Sequence, residues 1–379
     1  MTAESVIATL PPNSSAWPPS PTDSWGKAGN PLGNFGSLAR FNAPLAARYG
    51  ATAGSGAAAL SDYLAKSAAA SIEGHKAFLE GYSRQKYVTS TGLIQWMLNS
   101  DAPSNIWHFF HHDLTVGSAG TSAKQALSPP LHIAYDYNAG GVFLVNSLYA
   151  AAPAADLQAT VEVFSVADKT LFSSSATVAA GSVASDAVAD LPALKPPPPA
   201  AGTGAYFLRL TLAGAGGAIV DSNTYWLPET QDAIDWASST WYDTPVKSYA
   251  DLSALFSPAL GPPRSVKADA VFAAVAPADL HSAGARWLSS QPGGAGTWTR
   301  ATVTVSNPAG AGVAFLVRLR IVPTGGTAAG ASDPAPLFFE DNYLVLRGGE
   351  TRIVEVEFAD SVMRGVSPAV AFDFGGGGI

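Results

Sequence analysis

The densest group of chemically capable side chains is HFFHHD, which sets His108, His111, His112 and Asp113 within a few residues of one another. Imidazoles and a carboxylate are zinc ligands, and on a helix His108 and His112 would share one face. A zinc site needs a third protein ligand, and no spacing supplies one, nor is a carboxylate placed as in a zincin. The same residues also read as an aromatic helix face with surface histidines, so no metal and no cofactor are expected. Glu73 and Glu80 share a helical face. A retaining glycosidase holds its two carboxyls about 5 Å apart, whereas a seven-residue helical step spans about 10 Å. They therefore read as solvated helix carboxylates. The close glycines of GGAGTW and LAGAGGA join no strand to a helix, so hairpin turns are expected there instead of a dinucleotide site. No G-x-S-x-G elbow and no P-loop occurs. Motifs alone assign no catalytic residue to this chain.

The elements that would position these residues change character along the chain. Residues 1–37 are rich in Pro, Gly and Ser and read as an irregular arm. Phe35, Leu38, Phe41, Leu45 and Tyr49 recur at three- and four-residue steps, and Gly50 follows as a stop. A second, Ala-rich helix is expected from Ser61 as N-cap, with Leu64, Ala68, Ile72, Phe78 and Tyr82 on its apolar face. TGLIQWML is a nearly continuous apolar run, the pattern of a parallel strand buried on both faces. Asn105 to Leu114 then reads as an aromatic helix. Helix, buried strand and helix together indicate α/β structure over 38–130.

After Pro129 the texture is all-β. Hairpins are expected to turn at Asn138 to Gly141, at Ala167 to Lys169 and at Gly214 to Gly217, giving six or seven strands over 131–229, the size of an immunoglobulin-like sandwich. KPPPPAAGTG is a loop within it, since Pro cannot join a central strand. An aromatic connector, 230–263, carries Trp236, Trp241, Tyr242 and Tyr249, so many rings that it is expected to lie against a domain surface. A second sandwich, 264–379, shows Val303 and Val305, then Val317, Leu319 and Ile321, on one face per strand. LRGGET reads as a turn between paired strands, and the final GGGGI should fray.

Composition narrows the function classes. The 379 residues are 47% hydrophobic and 13% charged, with a net charge of -8 and no Lys/Arg run. That fits a globular chain with large apolar cores and excludes the basic stripe of a nucleic-acid binder. Cysteine is absent, so disulfides and thiolate metal sites are excluded, and the compartment stays open. No apolar stretch reaches the length of a membrane span. The start MTAESVIATLPP lacks the features of a signal peptide, so either the protein is not exported by itself or this is not the natural beginning of its polypeptide.

In order, these phrases resemble the C-terminal half of the family 2 glycoside hydrolases, in the exo-β-D-glucosaminidase and β-mannosidase branch. LARFNAPLAARYG and LSDYLAKSAAASIEGHKAFLEGYSR resemble the last helices of that family's (β/α)8 barrel. STGLIQWMLNS with PSNIWHFF is similar to its eighth strand and following helix. PLHIAYDYNAGGVFLVNS resembles the entry into a sandwich, SNTYWLPE and STWYDTPVKSYADLSAL its end and connector, and FFEDNYLVLRGGETRIVEVEF the C-terminal immunoglobulin-like domain. The resemblance covers Leu38 to Phe374. It implies a multidomain, mainly β chain: a C-terminal remnant of a (β/α)8 barrel followed by two immunoglobulin-like β-sandwiches. It implies retaining hydrolysis of terminal β-linked sugars, and a family often secreted or vacuolar/lysosomal.

By the same resemblance, the acid/base Glu follows the fourth barrel strand and the nucleophile Glu ends the seventh. Both would precede this chain, and Glu4 falls too late to be the nucleophile. The chain is therefore expected to be inactive alone, and an oligosaccharide substrate is expected only with a companion chain or domain carrying the rest of the barrel. No nucleic-acid or membrane partner is expected. This chain's own share of the pocket would be Trp96, Asn99 and Trp107. Where the family commonly reads Asn-Ala-Trp-Pro-Ser, this chain has Ser100-Asp101-Ala102-Pro103-Ser104, so Ala102 replaces a sugar-facing Trp. In a later phrase Lys124 and Ala126 remain, while the family's Glu falls at Ser128 or Pro129. These departures also fit a non-catalytic structural or assembly module. A carbohydrate-binding module would need exposed rings, for which Trp287 and Trp298 are the candidates in the last domain, both expected to pack inward.

Overall fold

The computed structural model describes residues 3–8, 10, 15–19, 38–99, 108–241, 243–257, 266–294, 296–325 and 333–373. The predicted sites Trp107 and Ala102, the arm's Phe35 and the final GGGGI lie outside them. The chain is mainly β. Three helices lead: Ala3–Ala8, which lies in the stretch expected to be irregular and buries Ala3 and Val6 in the core, then a short one, Ala39–Tyr49, ended by Gly50 at φ 83°, and a long one, Gly56–Arg84. The long helix starts earlier than the sequence suggested. Ser61 lies inside it and its hydroxyl donates to the Ala57 carbonyl at 3.0 Å. Its buried stripe is Leu60, Tyr63, Lys66, Ala69, Ile72, Glu73, Lys76, Leu79 and Glu80, one or two residues per turn. Four of these are charged, which an amphipathic helix tolerates only if each is paired.

The predicted strand at TGLIQWML does not form, and the described part of the predicted helix, residues 108–114, is not helical. No strand is present among residues 91–98, and residues 108–117 are turns and isolated bridges leading to a helix at Ser118–Leu127. A strand is defined by its neighbours, and no described segment pairs along 93–98. At HFFHHD, the chain folds back instead of winding: the Phe109 and Phe110 amides both donate to the Leu98 carbonyl at 3.0 Å, and His111 donates to Thr115 at 3.0 Å.

Seven strands follow: β1 (Leu131–Asp136), β2 (Gly141–Asn146), β3 (Leu157–Ser165), β4 (Thr170–Val178), β5 (Val188–Asp190), β6 (Tyr206–Ala213) and β7 (Ile219–Leu227). The three predicted hairpins are present, and the Pro-rich stretch is a loop. Their sheets, ordered β1-β2-β5 and β4-β3-β6-β7, enclose a core of residues such as Ile133, Val161, Leu208 and Leu210. A short hairpin, β8 (Ala233–Ile234) with β9 (Val246–Ser248), leads to a second pair of sheets. These are β10 (Lys267–Val275), β11 (Trp298–Ser306), β15 (Thr351–Ala359) and β13 (Phe338–Phe339) against β14 (Leu344–Leu346), β12 (Ala314–Pro323) and β16 (Pro368–Asp373). Val303, Val305, Val317, Leu319 and Ile321 all point into the core between them, as their alternation predicts.

LRGGET is not a hairpin turn. It carries the chain from β14 in one sheet to β15 in the other. Its glycines instead permit a close approach: a Cβ on Gly348 would lie 2.3 Å from the Ala311 carbonyl oxygen. The Gly348 amide donates to Asp168 at 2.8 Å and Arg347 Nε donates to the same carboxylate at 2.6 Å. Asp168 sits in the β3–β4 turn, so this joint ties the two sheet pairs together. Arg209 on β6 adds a second tie, to Glu350 at 2.8 Å and to the Val345 carbonyl at 2.7 Å. Among the described residues no helix is long and apolar enough to cross a membrane.

Candidate functional site

The stretch from Leu93 to Leu98 keeps the two-residue period of a strand without a ladder. Leu93, Gln95 and Met97 are half-buried, while Ile94, Trp96 and Leu98 are 89%, 73% and 62% exposed. The sequence reading had both faces buried. Here the inward face rests on the long helix: Leu93 and Phe109 pack against Leu79, Ala123 and Ala126, and the Phe109 ring meets His75 edge-on at 5.8 Å. The outward face meets water. Trp96 and Asn99 are both exposed, and Asn99 is held by a bridge to Phe110. Two of the three predicted pocket residues, Trp96 and Asn99, are thus exposed.

HFFHHD does not place His108 and His112 on a common helical face. His108 Nε2 and His111 Nδ1 are 3.0 Å apart instead. Burial pushes the His111 imidazole well below its ordinary value. Among the described residues, no group of three or more His, Asp or Glu is placed to hold a metal ion.

Glu73 and Glu80 are buried, not solvated. Glu73 centres a polar knot between the long helix and the short helix Ala39–Tyr49, and Glu80 a separate one between the long helix and the first sheet pair. Arg48 binds Glu73 through both guanidinium nitrogens at 2.7 and 2.8 Å, and the Tyr49 hydroxyl donates to it at 2.6 Å. Trp226 Nε1 donates in turn to Tyr49 at 3.0 Å. One turn or two further on, Glu80 accepts from Tyr225 at 2.7 Å and Asn223 at 2.9 Å, with His132 Nε2 at 3.3 Å. The other nitrogen of His132 meets Asp221 at 2.8 Å. Burial would push the His132 imidazole down, but hydrogen bonds to Asp221 and Glu80 and their charges hold it up at about 9. Burial would raise Glu80, yet the His132 hydrogen bond and charge, with Lys76, bring it below its ordinary value.

An imidazolium between two carboxylates can do acid–base chemistry only if a substrate reaches it. Glu80 and His132 are 1% and 3% exposed. The nearby cavity, between Ile72, Lys76, Gln125, Asn223, Trp226 and Asp341, is about 40 Å³, far too small for a sugar ring. The knots are therefore structural joints. Their signal was present in the sequence: Asp221, Asn223 and Tyr225 occupy one face of β7, polar residues at the positions where a core strand is apolar.

Three aromatic expectations also resolve. Trp298 is buried, as read from the sequence, but Trp287 is 65% exposed, because the short helix Ala283–Ser289 buries Ala285 instead. The connector does not hide its tryptophans. Trp236 is 75% and Trp241 95% exposed. Leu252, Leu255 and Phe256 are the connector's anchors in the shared core. Lys124, one of the retained residues, donates to the Phe339 carbonyl at 2.6 Å and so links its helix to the second sheet pair.

Comparison with known proteins agrees with this architecture. The family model described as the exo-beta-D-glucosaminidase Ig-fold domain matches residues 241–373. Exo-beta-D-glucosaminidase of Streptomyces avermitilis is 34% identical over 346 residues, which is 90% of this chain and 34% of that protein. The Amycolatopsis orientalis enzyme of the same name is 30% identical, covering 89% of this chain and 29% of the relative. A solved structure of Amycolatopsis orientalis exo-chitosanase CsxA superposes with a TM-score of 0.72 at 28% identity, over 91% of this chain and 37% of that one. A β-D-mannosidase from Dictyoglomus thermophilum shares the fold alone, at 12% identity and TM-score 0.50. The chain spans about a third of the length of the curated relatives it matches. Residues 241–373 thus match the exo-beta-D-glucosaminidase Ig-fold domain, and the chain as a whole is similar to the C-terminal third of exo-β-D-glucosaminidases.

Proposed function

We propose that this chain is the C-terminal part of a retaining exo-β-glycosidase, of the exo-β-D-glucosaminidase or β-mannosidase type. It supplies one wall of the pocket, and the two catalytic glutamates stand on a polypeptide that completes the barrel. The observation that carries this reading is the outward row Ile94, Trp96 and Leu98, an apolar row with the two-residue period of a strand that is exposed to water. In a (β/α)8 barrel such a row fills the interior, and residues at the C-terminal end of the strand, here Trp96 and Asn99, border the site. The half-buried face against the long helix is what the helix layer of a barrel would provide. The reaction would proceed by attack of one Glu on the anomeric carbon and hydrolysis of the glycosyl-enzyme by water, with the second Glu acting as acid and then base. Each large apolar side chain in the row would contribute about 1.5–3 kcal/mol on full burial, which favours assembly with the rest of the barrel.

The test is hydrolysis of a chromogenic β-D-glucosaminide and β-D-mannoside. The purified chain alone should give no turnover, and co-expression with a polypeptide supplying the upstream barrel strands should restore it. Turnover by the chain alone overturns the assignment. The replacement of a family Trp by Ala102 supports a second reading, a non-catalytic assembly module. It predicts association with the upstream polypeptide and no hydrolysis.

A further inference from the structure

Between β5 and β6 the chain crosses from one sheet to the other through four consecutive prolines, Pro196 to Pro199. A proline ring fixes its own φ near −65° and pushes the residue before it into extended backbone. Lys195, Pro196, Pro197 and Pro198 each precede a proline, so all four are driven toward the polyproline II helix, and Lys195 stands at φ −62° and ψ 115°. That helix repeats every three residues, and burial follows the repeat. Pro196 and Pro199 are half-buried, while Lys195, Pro197, Pro198 and Ala200 are exposed. Pro197 and Pro198 thus form an outward ridge on a helix whose other side rests on the protein.

Both ends of the run are pinned. On one side Leu194 is fully buried in the core between the sheets, and Lys195 Nζ donates to the Ala139 carbonyl at 2.8 Å. On the other, Thr203 donates to the Ala200 carbonyl through its amide at 3.1 Å and its hydroxyl at 2.6 Å. Glu229 accepts from the Gly202 and Gly204 amides at 2.9 and 2.8 Å. These contacts select the kind of partner. Proline has no N–H, so the run offers no donors to an added strand. The neighbouring charges are engaged, Lys195 by a carbonyl and Glu229 by two amides, so neither recruits a charged ligand. What remains outward is a neutral pair of adjacent pyrrolidine rings. Aromatic-lined grooves take such ridges, and a run already in this shape loses little entropy on docking.

We propose that Pro197 and Pro198 are the ridge of a protein-docking site, and that its partner is a separate protein domain with an aromatic-lined, polyproline-reading groove. The site belongs to the first sheet pair and does not depend on the function proposed above. The probe is a WW domain that reads consecutive prolines. It is titrated with the full chain and with a free peptide of residues 191–204, and followed by the amide chemical shifts of the WW domain. The chain should bind, and more tightly than the peptide, because the anchors at Leu194 and Glu229 fix the shape beforehand. Pro197→Ala with Pro198→Ala should weaken binding about tenfold, the scale of a hot-spot truncation. Glu229→Gln should bring the affinity of the chain toward that of the peptide. The two rings are exposed, so far-UV circular dichroism should stay the same in the double variant. The same double change in the peptide should also weaken binding, which keeps the test decisive if the altered chain unfolds.

Absence of binding by the chain at millimolar concentration overturns the site. Binding by the peptide alone does the same, since the run would then be shielded in the folded chain. Equal affinity in the double Ala variant overturns it, as does a chain that binds no more tightly than the peptide, because the site consists of a run held ready by its anchors. If the prolines only stiffen the crossing between the sheets, the double variant will lower the melting temperature while neither chain binds the WW domain, and the site falls.

Discussion

Two stretches of this chain alternate with the same period and reach opposite ends. In β11, Ala301, Val303 and Val305 are fully buried, and the strand is hydrogen-bonded on one edge to β10 and on the other to β15. In residues 93–98 the outward set is Ile94, Trp96 and Leu98, more apolar by volume than the β11 set, and it faces water. The difference lies in the neighbours. Alternation specifies which side chains share a face, while pairing and a second layer decide whether that face becomes a core. The sandwiches carry their own second layer in sequence; the 93–98 row has a helix on one side only.

The sharpest way to break this contrast is to remove a joint that holds the long helix on the first sheet pair. His132→Leu would leave Glu80 and Asp221 buried with like charge and without the cation between them. Stability should fall by about 3–5 kcal/mol, read from denaturant unfolding of the purified chain. A loss under about 1 kcal/mol would mean the knot is hydrated and the helix is held by apolar contacts alone. The same group gives a pH signature. Its folded value of about 9 exceeds the ordinary 6.5, so its contribution is complete below 6.5 and is lost as pH rises toward 9. Glu80 is shifted down, so its contribution is present above its ordinary 4.5 and is lost as pH falls. Stability from this knot should therefore peak between 4.5 and 6.5 and decline on the order of 3 kcal/mol by pH 9. His132→Gln should flatten the alkaline decline.

Within the sheets, Leu210 is fully buried between the two layers. Leu210→Ala should cost about 2–5 kcal/mol, the range for a Leu truncation in a well-packed core. A smaller cost falls at the joint between the sheet pairs. Gly348→Ala sets a methyl against the Ala311 carbonyl and displaces the amide from Asp168, which should cost about 1–3 kcal/mol. Unchanged melting in Gly348→Ala would show that the two sheet pairs do not rely on this contact.

Much of the fold was legible in the sequence because its signals are local. Three hairpins carry their turn residues with them, and Val317, Leu319 and Ile321 announce their common face. What sequence reading missed depends on contacts between distant segments. Glu80 reads as a surface carboxylate until β7 brings Asn223 and Tyr225 onto it. LRGGET reads as a hairpin until its glycines are seen against Ala311 and Asp168. Of the pocket residues that the family resemblance implied, Trp96 and Asn99 are exposed, and Trp107 lies outside the described residues. Trp236 and Trp241 were counted as surface-packing rings, since composition shows that a residue is aromatic but not what lies beside it.

The smallest expected effect is the most informative about the uncovered row. Ile94→Ala removes a branched side chain that is 89% exposed. In the chain alone the change removes almost no buried surface, so stability should move by less than about 0.5 kcal/mol. The same substitution should matter only when the row is covered. If the barrel is completed by an upstream polypeptide, Ile94→Ala should weaken that association, and Ile94→Asp should weaken it more, since a carboxylate would enter an apolar interior. Pull-down or analytical ultracentrifugation of the two polypeptides reads the difference. A substitution silent in the chain and costly in the assembly would mark residues 93–98 as a strand waiting for its sheet. Silence in both would mean that the row meets water in the working protein and that its alternation serves only to seat Leu93 and Met97 on the long helix.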